Sequence, residues 1–292
     1  MRKLLPIILI ATVLAVGIYV GYREEERKPA SSKHALVARF LDARYGNAIV
    51  ISVPGGKSVV IDPGPEATAE HLTDYLRDIG TKSVTLIVTY PTREHVGAIN
   101  QLIESFPVKR ILHGEITGIS RTWDRVLELA AEAGIPDLVL CEGDLIKLSP
   151  KVKLEILSPP KGFTENAAAS SMNNSLVARV SVGRVRFLLT SHIGTEVEGR
   201  LIQSGADLQS NVLLVPRHGT AGSTSLEFIS QVRPECFIVL VGRGTDKPSS
   251  LVMRRISTKN TGGQVYRTDE DGPIDVISDG RSIEVLAIGR KR

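Results

Sequence analysis

The feature that most constrains the fold is a pattern that occurs twice, hairpin-like apolar runs followed by alternating strands and helices. In the first half, three short apolar runs within 36–62, two of them joined by a Pro-Gly-Gly-Lys turn, predict antiparallel strands. Helical periodicity at 66–80 and an apolar run at 84–90 begin the alternation. After a loop at 158–174 rich in Pro, Ser and Asn, a hairpin at 176–190 starts the scheme again. This pattern predicts an α/β protein with two sheets packed face to face and helices outside.

Composition supports a sheet-rich globular body. Hydrophobic residues make up 42% of the chain and charged residues 23%, which excludes wholesale disorder. Aromatic residues make up only 4%, so Val, Ile and Leu must form the core. The two cysteines exclude a disulfide scaffold and a four-thiolate metal site. Cys141 and Cys236 fall in separate predicted strands, where buried thiols are expected rather than a disulfide.

The positive charge is concentrated at the termini. The net charge is +4 and the pI about 9.1, but acidic and basic residues nearly balance between the terminal segments. Bulk charge therefore gives no support to nucleic-acid binding, although it leaves room for a local basic groove.

Residues 4–22 carry no charge and, as a helix, would span about 28 Å, close to a hydrocarbon core. Positive charge at 1–3 and a balanced flank after residue 22 predict a single-pass membrane anchor with the body outside the cytoplasm. In this interpretation 1–3 is cytoplasmic, 4–22 is the transmembrane helix and 23–35 is a tether. A cleaved signal peptide is the alternative.

Several sequence blocks resemble, in order, the metallo-β-lactamase-fold domain of ComEC-type DNA-uptake competence proteins. They are FLDARYGNAIVISVPGGKSVVIDPGP (40–65), TYPTREHVGAI (89–99), MNNSLVARV with FLLTSHIG (172–180 and 187–194), LLVPRHGTAGSTS (213–225) and VYRTDEDGPIDVISDG (265–280). The resemblance implies a four-layer αββα metallo-β-lactamase sandwich over 36–289, which follows the membrane helix. For an active member it also implies that the substrate is a phosphodiester bond of DNA.

The metal-binding turn of that family is altered in this chain. The family usually has an H-x-H-x-D-H cluster after a strand, which serves two metal ions. Here Tyr90 and Thr92 stand at the leading histidine positions, and Glu94 and His95 follow. The family's bridging Asp is replaced by His192, and a neutral imidazole has one lone pair and cannot bridge two ions.

The later motifs are altered too. The family's His-His-Gly is Arg217-His218-Gly219, and its histidine-containing loop is a shorter run at 244–248 without histidine. Residues that shape the site in the family remain, namely Asp42, Asp62, Asn173 and Asn174. Asp62 is expected to accept backbone N–H bonds and fix its neighbouring loop.

The leading hypothesis is a membrane-anchored, extracytoplasmic protein that lacks the dinuclear hydrolytic centre and needs no cofactor. Its expected role is in binding or scaffolding, and DNA is a candidate ligand. The alternative is a hydrolase, a phosphodiesterase or nuclease, with one zinc ion held by Glu94, His95, His192 and His218. Whether the chain is an enzyme stays open, because Glu94 and His95 also suit the first turn of a predicted helix.

Three cations stand at or beside the former metal positions, Arg93, Arg217 and Lys247. They suit an anionic ligand such as single-stranded DNA, bound without metal, and they equally suit an ion pair with Glu94. His34, His71 and His113 lie outside the matching blocks and are expected at the surface.

Overall fold

The computed structural model describes residues 34–44, 46–115, 120–162, 171–242, 244, 245, 247–257 and 262–289. The predicted anchor at 4–22 lies outside the described residues. Within those residues, we find no helix that is both long and apolar enough to cross a membrane.

Two mixed β-sheets form the centre of the described chain. The strands of the first sheet are β1 (Leu36–Phe40), β2 (Ala48–Val53), β3 (Lys57–Pro63), β4 (Ser83–Val88), β5 (Val108–Gly114), β6 (Asp137–Leu140), β14 (Ile274–Ser278) and β15 (Ile283–Ala287). Those of the second are β7 (Leu145–Lys147), β8 (Val152–Ser158), β9 (Val177–Val182), β10 (Val185–Leu189), β11 (Val212–Leu214), β12 (Cys236–Val239) and β13 (Gln264–Arg267). The spatial orders are β15-β14-β1-β2-β3-β4-β5-β6 and β13-β12-β11-β10-β9-β8-β7.

Helices connect the strands. They are α1 (Ala69–Asp78), α2 (Arg93–Val96), α3 (Ile99–Ser105), α4 (Arg121–Glu132), α5 (Thr195–Gln203), α6 (Leu226–Val232), α7 (Ser250–Ile256) and α8 (Thr268–Asp271). Short 3-10 turns occur at Glu66–Thr68, Ser171–Asn174 and Pro216–Gly219.

Three apolar clusters define four layers. The first cluster lies between the sheets and includes Phe40 and Phe187. The second joins the first sheet to α1, α3 and α4 through side chains such as Leu72 and Trp123. The third joins the second sheet to α5, α6 and α7, where Phe228 is fully buried. The predicted two-sheet α/β sandwich with helices on both outer faces is therefore confirmed.

The helical segment that follows β4 is divided into two helices, α2 and α3. The break between α2 and α3 falls at Gly97, whose backbone N–H bonds to the Arg93 carbonyl, while Ala98 N–H bonds to the Gly64 carbonyl. A Cβ on Gly97 would lie 2.6 Å from the Glu66 nitrogen, so only glycine permits this close approach. The break brings the loop after β3 against α2.

The parallel parts of both sheets end on the same side of the sandwich. In the first sheet β3, β4, β5 and β6 are parallel, and in the second β10, β11, β12 and β13 are parallel. The carboxyl ends of parallel strands meet at one edge, which is where α/β proteins hold ligands. The loops after β4, β10 and β11 therefore form the region in which chemistry is expected.

Candidate functional site

Three histidines from the two sheets meet at this edge. His95 lies in α2, just after β4, whereas His192 follows β10 and His218 follows β11. One ligand nitrogen of each lies within 4.8 Å of the others. The ring centroids are 4.5 Å apart for His95 and His192 and 4.9 Å apart for His192 and His218, with the rings edge to face. We call these residues the three-histidine group.

The hydrogen bonds of the group leave ring nitrogens unused. His218 Nδ1 lies 2.7 Å from the Leu240 carbonyl oxygen, so this nitrogen carries the proton and Nε2 keeps its lone pair. His95 Nδ1 lies 2.8 Å from Thr92 Oγ1. In the described part of the chain, the buried His95 Nε2 and His192 Nδ1 have no partner. Buried polar atoms are rarely left unpaired, so these nitrogens indicate a missing ligand.

All three imidazoles are neutral near pH 7. Burial, with a smaller effect from His218, lowers the pKa of His95 to about 3. Burial lowers the pKa of His218 to about 4, although its bond to the Leu240 carbonyl opposes the change. The pKa of His192 is well below its ordinary value, chiefly through burial. Neutral imidazole is the form that binds metal ions.

Tyr90 and Thr92 stand at the positions of histidines in the family motif. In this chain Tyr90 packs against the rings of His192 and His95, and Thr92 bonds to the His95 ring. The Tyr90 ring stacks on His192 at 5.2 Å between centroids and meets His95 edge-on at 5.8 Å. Thr92 Oγ1 bonds to His95, as described above. The sequence showed these positions only as lost ligands, and nothing in it indicated that they position the rings.

Asp62 joins the loops that carry the group. It is fully buried, and its carboxylate accepts the Thr89 backbone N–H at 2.8 Å and the Thr89 hydroxyl. Thr89 Oγ1 in turn lies 2.7 Å from Ser191 Oγ, next to His192. Burial raises the pKa of Asp62 to about 7, and hydrogen bonds from Thr89 and Asn47 oppose this rise.

The turns around the group contain strained backbone. Asp62, Ser191, Arg217 and His218 have φ values of 50°, 48°, 51° and 55°. Residues other than glycine seldom adopt this left-handed region, and such strain is often concentrated at functional sites. The successive left-handed residues Arg217 and His218 set the direction of the His218 ring.

The four-residue ligand set predicted from sequence is reduced to three in the structure. Glu94 is exposed and, with Arg93, lines a separate cavity of about 560 Å³ beside Pro65, Glu66 and Ala67. Consecutive residues of a helix point about 100° apart, so Glu94 faces outward where His95 faces inward. Arg217 and Lys247, by contrast, act electrostatically on His192.

Two of the other predicted site residues, Asp42 and Asn173, have local partners. Asp42 Oδ1 accepts the Arg44 N–H at 3.1 Å, and the Asn173 amide donates to Glu196 at 3.0 Å. Asn174 is buried, and in the described ranges its Oδ1 has no partner. These contacts shape loops and place none of the three in the three-histidine group.

The surface prediction for His113 is wrong. His113 is 7% exposed, packs edge-on against Trp123 at 5.0 Å, and its Nδ1 lies 2.8 Å from the Gly114 carbonyl oxygen. The reason is that β5 continues to Gly114 and pairs with β6. Cys141, half-buried after β6, and Cys236, buried in β12, are both free thiols.

The donor set fits one metal ion better than two. Three neutral nitrogens within reach of one another match the three-histidine sites that hold zinc and leave one coordination position open. A second ion would need further ligands, and among the described residues no carboxylate or cysteine joins the group. The residues therefore suit a mononuclear site.

Comparison with known proteins agrees with this architecture. No family model matches the chain. The chain is 26% identical over 254 residues to ComE operon protein 3 of Bacillus subtilis (strain 168), covering 80% of this chain and 32% of that protein. It thus spans about a third of the length of this relative.

Several solved structures match the fold, and two of them share it over most of this chain. A protein described as a metal-dependent hydrolase from Parabacteroides distasonis has a TM-score of 0.51 and 12% identity, over 80% of this chain and 92% of that chain. CmlA, a diiron β-hydroxylase from Streptomyces venezuelae, also has a TM-score of 0.51, with 10% identity over 87% of this chain and 54% of that chain. The chain has the metallo-β-lactamase fold and is similar in sequence to a ComEC-type competence protein.

Proposed function

We propose that this ComEC-like chain of metallo-β-lactamase fold holds a single zinc ion on His95, His192 and His218 in place of a dinuclear centre, and hydrolyses phosphodiester bonds. One observation carries the proposal: three imidazoles from two sheets meet within 4.8 Å, with buried ring nitrogens that have no partner among the described residues. Of the two functions considered from sequence, the one-metal hydrolase is the one that this geometry favours.

The residues of the chain have distinct roles in this function. A bound zinc ion supplies Lewis-acid chemistry for hydrolysis. Thr92 and the Leu240 carbonyl fix the His95 and His218 rings, and Tyr90 covers one face of His192 and keeps water from it. Such neighbouring groups determine which ring nitrogen is free and how it is aimed.

Binding without hydrolysis is the second candidate function. It is favoured by the exposed position of Glu94, because within the described chain no carboxylate stands in the three-histidine group to act as a general base. In that case the site would hold DNA as a scaffold does, without cutting it.

Metal analysis of the purified full chain tests the proposal. We expect about one equivalent of zinc, lost in His95→Ala and in His218→Ala, because three nitrogens are the fewest that hold zinc firmly in such sites. His71→Ala is the matched control, since His71 is exposed on α1 and lies outside the group. Absence of metal, or two equivalents, would contradict the single-metal site. Zinc-dependent cleavage of single-stranded DNA then favours hydrolysis, and retention of intact DNA favours binding.

We also propose that residues 4–22 anchor the chain in the membrane with the body outside the cytoplasm. The uncharged run with positive charge before it supports this orientation. Protease added to intact spheroplasts should therefore digest the body. Protection of the body until the membrane is broken would show that the orientation is wrong.

A further inference from the structure

Arg217 places a cation beside the three-histidine group. It directly precedes His218, and its charge is one of those that lower the pKa of His192. Within the ranges that the structure describes, no carboxylate forms an ion pair with its guanidinium. The ion pair with Glu94 considered from sequence is thus not among the described contacts. A half-buried guanidinium without an acidic partner is a suitable receptor for an external anion.

The fold holds this guanidinium in place. Arg217 Nη2 lies 3.3 Å from Met172 Sδ, and the backbone N–H of Arg217 donates to the Ser191 carbonyl at 2.9 Å. A Cβ on Gly194 would lie 3.2 Å from Arg217 Nη1, so this glycine leaves room for the side chain. Gly194 comes two residues after His192. The guanidinium therefore lies in the loop layer that surrounds the three-histidine group.

Lys247 provides a second positive charge near His218. Its neighbour Pro248 packs against Gly219, where an added Cβ would lie 2.6 Å from the Pro248 Cβ, and Ser249 N–H donates to the Gly219 carbonyl at 2.9 Å. In agreement with this position, the Lys247 charge contributes to the lowered pKa values of His192 and His218. Together the two cations give positive potential to a centre whose three imidazoles are neutral. An ion with three protein ligands also has a position open to an exogenous ligand.

We propose that Arg217, assisted by Lys247, recognises a phosphate group beside the three-histidine site. The inference rests on the proposed single-metal function and names the ligand class of that site. The planar guanidinium presents paired N–H donors that match two phosphate oxygens, which a lysine cannot reproduce. Arg217 thus supplies paired donors to two oxygens of the anion, and Lys247 adds charge.

The test is a titration of the cobalt-loaded full chain, purified in mild detergent, with inorganic phosphate. Cobalt(II) in place of zinc gives visible absorption bands that report both loading of the site and exogenous ligands. In the unmodified protein, phosphate should change these bands in a saturable way. Arg217→Gln should keep the cobalt bands but weaken phosphate binding roughly 10- to 100-fold, as expected for loss of hydrogen bonds to a charged group. The phosphate affinity of Arg217→Lys should lie between those of the unmodified protein and Arg217→Gln. Lys247→Gln should lose less phosphate affinity than Arg217→Gln.

Arg184→Gln is the matched control. Arg184 is exposed and precedes β10, whereas His192 follows the same strand, so the two lie at opposite ends of it. Phosphate binding in this variant should equal that of the unmodified chain. If Arg217→Gln and the unmodified protein bind phosphate equally well and both show intact cobalt bands, the role of Arg217 is wrong. The single-metal function would not be affected by that result. Absence of cobalt bands in the unmodified protein would overturn the single-metal function and, with it, this inference.

Discussion

Metal-free protein is expected to lose stability steeply as the pH falls from about 6.5 towards 4. The folded pKa values of His95 and His218 are about 3 and about 4, and that of His192 is also well below its ordinary value. The unfolded chain takes up protons on these histidines near pH 6.5, whereas the folded chain does so only at much lower pH. Since the unfolded state then binds more protons, stability rises with pH across this window and is lost on acidification.

Asp62 has the opposite effect in the same window. Its folded pKa is about 7, so from about pH 4 to 7 the folded carboxyl keeps a proton that the unfolded one has released. Its contribution to stability therefore falls as the pH rises. Three histidines against one carboxyl give a net difference of about two protons, a slope of roughly 2.7 kcal/mol per pH unit. Between pH 6.5 and 4 this amounts to roughly 6 kcal/mol, which is comparable with the whole stability of a marginally stable domain.

Urea unfolding with chelator present, at half-unit steps from pH 4.5 to 7.5, measures this slope. His218→Gln should lower this slope by the equivalent of about one proton, whereas Asp62→Asn should raise it by the same amount. Both changes in slope are expected whatever either variant does to stability at neutral pH. His71→Gln, altered at an exposed position, should leave the slope unchanged. Stability independent of pH between 5 and 6.5 would show that the three rings are not buried neutral in the folded protein.

Gly46→Ala is expected to damage both stability and metal binding. Gly46 has a φ of 98°, and a Cβ there would lie 1.9 Å from the Glu94 carbonyl oxygen. The backbone of Glu94 must then move, and His95 follows it directly in α2. We expect a loss of about 3 kcal/mol or more from the free energy of unfolding, because backbone strain and overpacking add. Zinc affinity should fall as well, since His95 is displaced.

Gly55→Ala separates the two causes. Gly55 has a similar φ of 101° but nothing within 4 Å of its would-be Cβ, so it carries only the backbone penalty of about 1–2 kcal/mol. Urea unfolding and zinc titration of both variants make the comparison. If the two variants lose the same stability and keep the same zinc affinity, the contact between Gly46 and Glu94 does not hold the metal-binding loop.

The layered fold could be predicted because its causes are local. The strand at Ala48–Val53 is wholly apolar or small and fully buried, and turn residues separate it from its partner. The break at Gly97 could not be predicted, since it depends on Glu66, which is remote in sequence and close only in the folded chain. His113 was misplaced for the same reason, because its burial depends on the pairing of β5 with β6.

The site was only partly accessible from sequence. The family motif indicated His95, His192 and His218 as candidates, but it also suggested Glu94, and the direction of a side chain in a four-residue helix is decided by packing. The roles of Tyr90 and Thr92 depend on distances to rings that come from another sheet or from the next helical turn. A motif shows which ligands have been replaced, whereas the geometry shows what the replacements do.

The three-histidine group draws its members from both sheets. His95 follows a strand of the first sheet, and His192 and His218 follow strands of the second. A single ion held there would be a cross-link between the two sheets and would close a very long loop of chain. Both cysteines are free thiols. The ion would therefore join the two sheets as a disulfide can, but it would stabilise the chain by binding only the folded state, because the three ligands separate when the chain unfolds.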